Sequence, residues 1–159
     1  MRYKSVDEIR KIVDAVVKKV GSRDPFKIAR DSGILIIKQP MDDAHGMWIH
    51  EKRIKAILIN ENLSPARQRL VCAHELGHAM MHPDENVASI RAYTSLITSH
   101  LEVEANYFAY ELEFKRLDED ATVEGVIGDY EMNEDEVALL ERYFREGQES
   151  VEDDYDYYW

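Results

Sequence analysis

The stretch "RLVCAHELGHAMMHP", residues 69–83, carries the strongest pattern in the chain. His74 and His78 are four residues apart, so on an α-helix their side chains differ by about 40° in direction and project from one face. Glu75 follows the first histidine and completes the motif H-E-x-x-H. In that motif two imidazoles bind Zn²⁺, and the glutamate takes a proton from the water that the metal acidifies. The alternative interpretation is an ordinary amphipathic helix that carries two histidines by chance.

Two other residues of this stretch indicate its surroundings. Gly77 would lie in the interior of the helix, where glycine costs about 1 kcal/mol relative to alanine. A glycine at such a position usually marks the close approach of another backbone, as a buried helix would require. Cys72 points roughly 160° away from His74 by helical geometry, so we expect a small buried residue rather than a metal ligand.

His82 extends the row of histidines by one more turn. The outer two of three histidines on consecutive turns lie about 12 Å apart along the axis, so the three cannot share one tetrahedral ion. The metzincin pattern does not supply a third histidine either, because Asp84 stands at that place. We therefore expect His82 to be a helix-end residue stabilised by the C-terminal dipole; the alternative is a contact with a metal ligand or with substrate.

A catalytic zinc ion usually keeps three protein ligands and one open position, so a further ligand is wanted from another helix. The next predicted helix begins at Ser99 and offers three acids, Glu102, Glu104 and Glu111. Glu102 and Glu104 lie on opposite flanks of its apolar face, each roughly 75° to 85° from the centre, so only one can face the metal. Periodicity leaves both open, and Glu102 also fits a capping box with Ser99. The apolar face comprises Leu101, Ala105, Phe108, Ala109 and Leu112.

The rest of the chain predicts a small α+β fold. Gly21 is a stop signal for the first helix, and Asp24 and Ser64, each followed by proline, are helix starts. Three short apolar runs indicate a small, mainly antiparallel three-stranded sheet, with the first strand buried. We predict helices at residues 6–20, 24–32, 64–83, 99–117 and 133–144, strands at 34–38, 46–50 and 55–60, and a loop or short helix at 84–98.

Composition limits the classes of function. The 159 residues suit a single domain that can bury a real core. The formal charge of −12, from 32 acidic and 20 basic residues, argues against direct nucleic-acid binding and fits a basic partner better. No apolar run approaches the roughly 20 residues of a membrane span, and the first residues lack the apolar core of a secretory signal. Together with a single cysteine, these features lead us to expect a cytoplasmic protein without disulfides.

Two motifs together resemble a known family. "CAHELGHAMMH" followed by "LEVEANYFAYEL" is similar to the ImmA/IrrE metallopeptidases, in which H-E-x-x-H precedes a helix reading E-x-x-A-[N/D/S]-x-F-A. The similarity extends over residues 24–114, although "ELEFKRL" replaces the L-L-x-P sequence of many members, and the length resembles the short, ImmA-like form. The resemblance implies a zincin-like fold, with His74, His78 and Glu102 as the zinc ligands and Glu75 as the catalytic acid/base.

The resemblance also implies a function. The expected activity is zinc-dependent, site-specific cleavage of a helix-turn-helix transcriptional repressor of a phage, mobile element or stress response. The alternative is a non-hydrolytic metal-binding module that inactivates a repressor by stoichiometric contact. We expect residues 1–150 to form a single metallopeptidase domain and residues 151–159 an acidic aromatic tail, either solvated or docked on the body or a neighbour.

Two supporting roles are expected around such a site. Asn106, one turn after Glu102, is a candidate for orienting a metal ligand by hydrogen bonding; simple surface solvation is the alternative. Peptide hydrolysis also needs a donor for the developing oxyanion. The candidates are Tyr93, His100, Tyr107 and Tyr110, among which the sequence does not choose.

Overall fold

The described part of the chain contains six helices and three strands. A computed structural model describes residues 3–84, 99–115 and 122–153. The predicted α+β class is confirmed. In chain order the elements are α1 (Val6–Val20), α2 (Pro25–Asp31), β1 (Leu35–Gln39), β2 (Gly46–Glu51), β3 (Ile54–Asn60), α3 (Pro65–Met81), α4 (His100–Phe114), α5 (Val123–Asp129) and α6 (Glu134–Asp153).

Helices α1 and α3 each begin at a serine whose side chain accepts a hydrogen bond from a backbone N–H group of the first turn. Ser5 and Glu8 form a complete capping box at the start of α1. At the start of α3, the Ser64 hydroxyl accepts a hydrogen bond from the Arg67 N–H at 3.2 Å, and Pro65 is the first helical residue. The predicted bounds of α1 and the predicted start of α3 are confirmed.

The three strands form a mixed sheet in the order β1-β3-β2. β2 and β3 form a hairpin, with Lys52 at a positive φ of 54° in its turn, and they pair antiparallel from Gly46 opposite Ile59 to Glu51 opposite Ile54. β1 lies on the other side of β3 and runs parallel to it. The sequence indicated a mainly antiparallel sheet, whereas the structure has one antiparallel and one parallel pairing. A short turn between two strands indicates that those two strands pair antiparallel. β1 is joined to β3 through a longer connection, so the sequence does not indicate the direction of that pairing.

The prediction that the first strand is buried is wrong. Leu35 and Ile37 on β1 are 60% and 41% exposed, and Ile36 between them packs against the core. β1 is an edge strand, and the buried side chains Ile57 and Ile59 of β3 lie on the sheet face that α3 covers. Alternate residues of a strand lie on opposite faces of the sheet, so a continuous apolar run places apolar residues on both faces. Such a run does not indicate whether other elements cover one face or both.

α3 lies between the sheet and α4, and residues 70–78 are all buried. A Cβ atom added to Gly77 would lie 3.1 Å from the carbonyl oxygen of Ala105 and 3.1 Å from Cβ of Phe108. The backbones of α3 and α4 therefore approach each other directly, which confirms the close approach predicted from Gly77. Cys72 is also fully buried, and burial raises the pKa of its thiol, as expected for an inert core residue.

α4 is buried on all sides rather than on the single predicted apolar face. Every residue from 103 to 114 is buried, including three glutamates. A buried carboxylate needs a partner, and each of the three is paired with a basic side chain from outside α4. Glu104 pairs with Lys4 at 3.3 Å, Glu111 with Arg10 at 3.1 Å and Glu113 with Arg69 at 3.1 Å. Across the described residues, no helix is both long and apolar enough to span a membrane.

The C-terminal third differs from the sequence prediction in two places. The sequence does not predict α5, which begins at the N-cap Thr122, and α6 continues to Asp153 instead of ending near residue 144. The division at residue 150 into a domain and a tail falls within α6 and stays a prediction. Residues 154–159 of the predicted tail lie outside the described residues, as do residues 85–98 of the predicted loop or short helix.

Candidate metal centre

Two successive turns of α3 bring His74 and His78 side by side. Both side chains have an exposed fraction of 0%, and their ring centroids are 4.9 Å apart. The spacing of four residues places the two rings on one face of the helix, as predicted. That face is directed toward the first turn of α4, because the Nε2 atoms of both rings approach Glu102 there.

Glu102 completes a cluster of three possible metal-ligand side chains. Its Oε2 atom is 3.1 Å from Nε2 of His74, and its Oε1 atom is 2.9 Å from Nε2 of His78. The ligand atoms of the three residues all lie within 4.8 Å of one another. Ser99 caps α4 by accepting a hydrogen bond from the Glu102 N–H at 3.3 Å, so the cap uses the backbone of Glu102 and leaves its carboxylate directed at the histidines.

The other two candidate acids of α4 are used elsewhere. Glu104 binds His82 and Lys4, with its Oε2 atom 2.7 Å from Nε2 of His82. Glu111 lies two turns further along the helix and pairs with Arg10. Neither belongs to the three-residue cluster. The orientation of α4 thus brings the carboxylate of Glu102, and not that of Glu104, beside the two histidines, a question that periodicity had left open.

The cluster fits a bound metal cation. Among the described residues, Nε2 of His78 and both carboxylate oxygens of Glu102 are buried and have no hydrogen-bond partner. Leaving such groups unsatisfied costs stability, and a cation that accepts their lone pairs removes the cost. Ligand atoms about 2.1 Å from one tetrahedral zinc ion lie roughly 3.4 Å from each other, which is close to the observed separations of 2.9 and 3.1 Å.

The electrostatics of the cluster favour the deprotonated ligands that a metal needs, except at His74. Burial alone would raise the pKa of Glu102, but the imidazoles, His74 foremost, hold it well below its usual range. Burial lowers the pKa of His78. Burial also works to lower the pKa of His74, but the carboxylates of Glu102 and Glu75 raise it above its ordinary value. A proton on His74 is therefore the main competitor of a cation at this site.

Asn106 supports two of the three clustered residues. Its Oδ1 atom is 3.2 Å from Nδ1 of His74, and its Nδ2 group donates to the backbone carbonyl of Glu102 at 2.9 Å. The donated bond assigns the amide, so Oδ1 is the acceptor and Nδ1 of His74 carries the hydrogen. In that tautomer the lone pair of His74 lies on Nε2, the atom that faces Glu102 at 3.1 Å. Of the two roles considered for Asn106, its contacts are those of an orienting residue, and it is buried.

His82 lies at the end of α3, as expected, but its side chain is directed inward. It is the C-cap residue, and its N–H donates to the carbonyl of His78 at 2.8 Å. The His82 side chain is only 5% exposed, and its Nδ1 atom is 3.4 Å from Nδ1 of His78. His82 is therefore a helix-end residue, as expected, but it also contacts His78, one of the candidate metal ligands. That contact is the alternative that the sequence left open.

Glu75 is fully buried and faces the start of β2. A Cβ atom on Gly46 would lie 3.4 Å from Cγ of Glu75 and 2.5 Å from Cγ1 of Val71. Only glycine allows β2 to pass this close to α3. Sequence reasoning missed Gly46; the available signal was a glycine at the first position of a predicted strand.

The candidates for an oxyanion donor are distributed differently. The hydroxyls of Tyr107 and Tyr110 donate to α6, to Glu146 Oε2 at 3.0 Å and to the carbonyl of Glu136 at 3.5 Å, respectively. His100, the first residue of α4, packs edge-on against Tyr3 with ring centroids 5.4 Å apart. Tyr93 lies outside the described residues. None of the three described candidates belongs to the His74, His78 and Glu102 cluster.

Comparison with known proteins identifies the family. Residues 29–152 match the peptidase M78 family, described as the IrrE N-terminal-like domain. Immunity region protein 2 of Bacillus phage phi105 is 37% identical over 105 residues, covering 65% of this chain and 66% of that protein. Metallopeptidase ImmA of Bacillus subtilis (strain 168) is 32% identical over 104 residues, covering 65% of this chain and 62% of that protein. The matches span less than two thirds of the length of either relative. The family predicted from the two motifs is confirmed, and this chain belongs to the ImmA/IrrE family of metallopeptidases.

Proposed function

We propose that this protein is a zinc-dependent endopeptidase that cleaves a helix-turn-helix transcriptional repressor at a specific bond. The observation that carries the proposal is the meeting of His74, His78 and Glu102 beside the buried Glu75. Two imidazoles and one carboxylate are a donor set typical of catalytic zinc, which keeps a fourth position for water and substrate. Glu75 has the position in the motif that a general base requires.

The proposed mechanism assigns a task to each residue of the site. His74, His78 and Glu102 would hold the zinc ion, which supplies polarisation of the scissile carbonyl and lowers the pKa of a water molecule. Glu75 accepts the proton of the attacking water and passes it to the leaving amine. Asn106 keeps the ring of His74 in the tautomer with a lone pair on Nε2.

The position of β2 supports a peptide substrate. Among the described residues, β2 is an edge strand with no neighbour beyond it, and its first residue, Gly46, lies against Glu75. An extended peptide can pair with such an edge through main-chain hydrogen bonds. We therefore expect the scissile bond to lie in a segment that can become extended, such as a linker, rather than within a packed helix of the repressor.

The choice of a repressor rests on the relatives and on charge. One relative is named as an immunity region protein of a phage, and the other as metallopeptidase ImmA. The formal charge of −12 favours a basic partner, as the DNA-binding surface of a repressor is, and disfavours direct binding of nucleic acid. We propose that the substrate is a cytoplasmic repressor of a phage, mobile element or stress response, and that specificity for it is narrow.

The test is cleavage of candidate repressors encoded beside this gene. Each repressor is incubated with the zinc-loaded protein, with and without a chelator, and the products are measured by mass spectrometry. We expect two defined fragments from one repressor, none with chelator, and no comparable degradation of unfolded casein. Inactivation of the repressor at equimolar ratio without fragments would contradict hydrolysis and favour a non-hydrolytic regulator.

A further inference from the structure

A row of four residues leads from His78 to the N-terminal segment of the chain. Nδ1 of His78 is 3.4 Å from Nδ1 of His82, and Nε2 of His82 is 2.7 Å from Oε2 of Glu104. The main-chain N–H of Lys4 donates to Oε1 of Glu104 at 2.8 Å, and its ammonium group lies 3.3 Å from Oε2. His82 and Glu104 are 7% and 2% exposed, so these contacts are shielded from water.

The contacts determine where each hydrogen lies. Glu104 accepts two hydrogen bonds from Lys4, as a carboxylate does, so the short contact with His82 requires a hydrogen on Nε2 of His82. The tautomer of His82 with its hydrogen on Nε2 presents a lone pair at Nδ1, which can accept a hydrogen from Nδ1 of His78 at 3.4 Å. His78 consequently keeps its lone pair on Nε2, the atom that faces Glu102 at 2.9 Å.

We infer that His82 and Glu104 are positioning residues that orient His78 as a metal ligand, an inference that rests on the proposed zinc site. The carboxylate of Glu104 makes Nδ1 of His82 a better hydrogen-bond acceptor. The stronger hydrogen bond to His82 in turn makes Nε2 of His78 a better donor of its lone pair to a metal. The arrangement also fixes the rotation of the His78 ring. Lys4 holds the Glu104 carboxylate in place, so the segment before α1 contributes indirectly to the orientation of His78.

The same arrangement distinguishes the two histidine ligands. Nδ1 of His74 donates to a neutral amide, that of Asn106, whereas Nδ1 of His78 donates into a row that ends on a carboxylate. The charge-assisted bond in this row is the one from His82 to Glu104, and by polarising the ring of His82 it strengthens the bond that His82 accepts from His78. We therefore expect His78 to be the ligand whose surroundings contribute more to metal affinity.

The test measures zinc affinity by competition with a chromophoric chelator, a quantity that does not depend on catalysis. We expect His82→Ala to weaken zinc binding about 10- to 100-fold and Glu104→Gln, which retains the volume of the side chain, to weaken it about tenfold. Lys4→Met should have a smaller effect, because the main-chain donor remains and the Lys4 side chain is 36% exposed. The double variant of His82 and Glu104 should bind zinc no more weakly than His82→Ala alone, because both residues act through one row of hydrogen bonds.

His50→Ala is the matched control. Nδ1 of His50 is 2.8 Å from the carbonyl of Pro83, so this histidine contacts the same end of α3 without touching His78. We expect its zinc affinity to stay within about twofold of the wild type, since its contacts among the described residues are with the Pro83 carbonyl and the Trp48 ring and not with a proposed ligand. The thermal midpoint of each metal-free variant separates loss of folding from loss of affinity, and Glu104→Gln keeps the test valid if His82→Ala does not fold.

Three outcomes would overturn the inference. Wild-type zinc affinity in folded His82→Ala and Glu104→Gln would show that the row does not act on the metal. Additive losses in the double variant would show two independent effects. A wild-type protein that binds no zinc would contradict both this inference and the proposed function, whereas one that binds zinc but cleaves no repressor would contradict the proposed function alone.

Discussion

Gly77 of α3 and Ala105 of α4 meet so closely that a Cβ atom on Gly77 would lie 3.1 Å from the carbonyl oxygen of Ala105 and 3.2 Å from its Cα. Gly77 directly precedes His78, and Ala105 follows Glu102 by less than one turn. The approach of the two backbones at this point brings the carboxylate of Glu102 within 2.9 Å of His78. The contact between two small residues therefore sets the separation of the clustered side chains.

Gly77→Ala is expected to weaken both folding and zinc binding. Alanine gains about 1 kcal/mol of helix propensity, but forcing extra volume between two backbones costs about 1 to 3 kcal/mol. We expect a net loss of roughly 0 to 2 kcal/mol in the free energy of unfolding, measured with urea on the metal-free protein. Zinc affinity, measured by chelator competition, should fall because the helices are moved apart.

The control for this substitution is Gly128→Ala in α5. A Cβ atom there would meet nothing within 4 Å, so only the gain in helix propensity applies. We expect Gly128→Ala to raise the free energy of unfolding by up to about 1 kcal/mol without changing zinc affinity. If Gly77→Ala raised the free energy of unfolding as much as Gly128→Ala, the packing of α3 against α4 would have room for a Cβ atom at residue 77, contrary to the structure.

Glu75→Gln is expected to abolish cleavage while leaving zinc bound. The amide keeps the shape of the buried side chain but cannot accept the proton of the attacking water, so the rate should fall by about 10² to 10⁴. Zinc affinity should change little, because Glu75 is not part of the cluster of possible ligands. Glu61→Gln, at an exposed position just before α3, serves as the control. Undiminished cleavage by Glu75→Gln would remove Glu75 from the mechanism.

Asn106→Ala is expected to reduce zinc affinity about tenfold, because the ring of His74 loses the acceptor that fixes its tautomer. Asn106→Asp keeps that acceptor and loses only the donor to the backbone carbonyl of Glu102, so its zinc affinity should lie closer to that of the wild type. Both affinities are measured by chelator competition. Equal losses in the two variants would indicate that the bond to Glu102, rather than that to His74, is the important one.

Zinc binding is expected to release protons in a pH-dependent manner. The pKa of His74 is raised above its ordinary value, so in the metal-free protein its proton persists to higher pH than that of a free histidine, about 6.5. Zinc must displace this proton, and affinity should therefore decrease as the pH falls through that raised value. Calorimetry in two buffers of different ionisation enthalpy measures the release, which near pH 7 should exceed the fraction of a proton that a histidine of ordinary pKa still carries there. Release no greater than that fraction would contradict a raised pKa of His74.

Removal of zinc is expected to lower the thermal midpoint of unfolding. A ligand at about 1,000 times its Kd stabilises the folded state by about 4 kcal/mol, which for a domain of this size corresponds to roughly 8 to 16 °C. Differential scanning calorimetry with zinc and with chelator measures the shift. Glu102→Ala should lose most of it, whereas Glu61→Gln should retain it. A Glu102→Ala variant with the full shift would place the metal elsewhere.

The helix starts could be predicted because they depend on neighbouring residues. Ser64 followed by Pro65 and the capping box between Ser5 and Glu8 act over a single turn, and the structure contains both. α5 and the exposure of β1 could not be predicted, because both depend on what packs against them. A strand such as Leu35–Gln39 has the same apolar composition whether one face or two are covered.

The sequence by itself determined which side chains can share a face, since the spacing of His74 and His78 on one helix is local geometry. It also narrowed the third clustered residue to a few acids of α4. Helical periodicity left Glu102 and Glu104 open, and only the tertiary structure shows which of them lies beside the histidines, because two residues on opposite flanks of a helix are distinguished by how that helix crosses its neighbour. The crossing of α3 and α4 at Gly77 places Glu102 beside His74 and His78, and Glu104 beside His82. His82, the third histidine of the stretch, is therefore directed inward and faces His78.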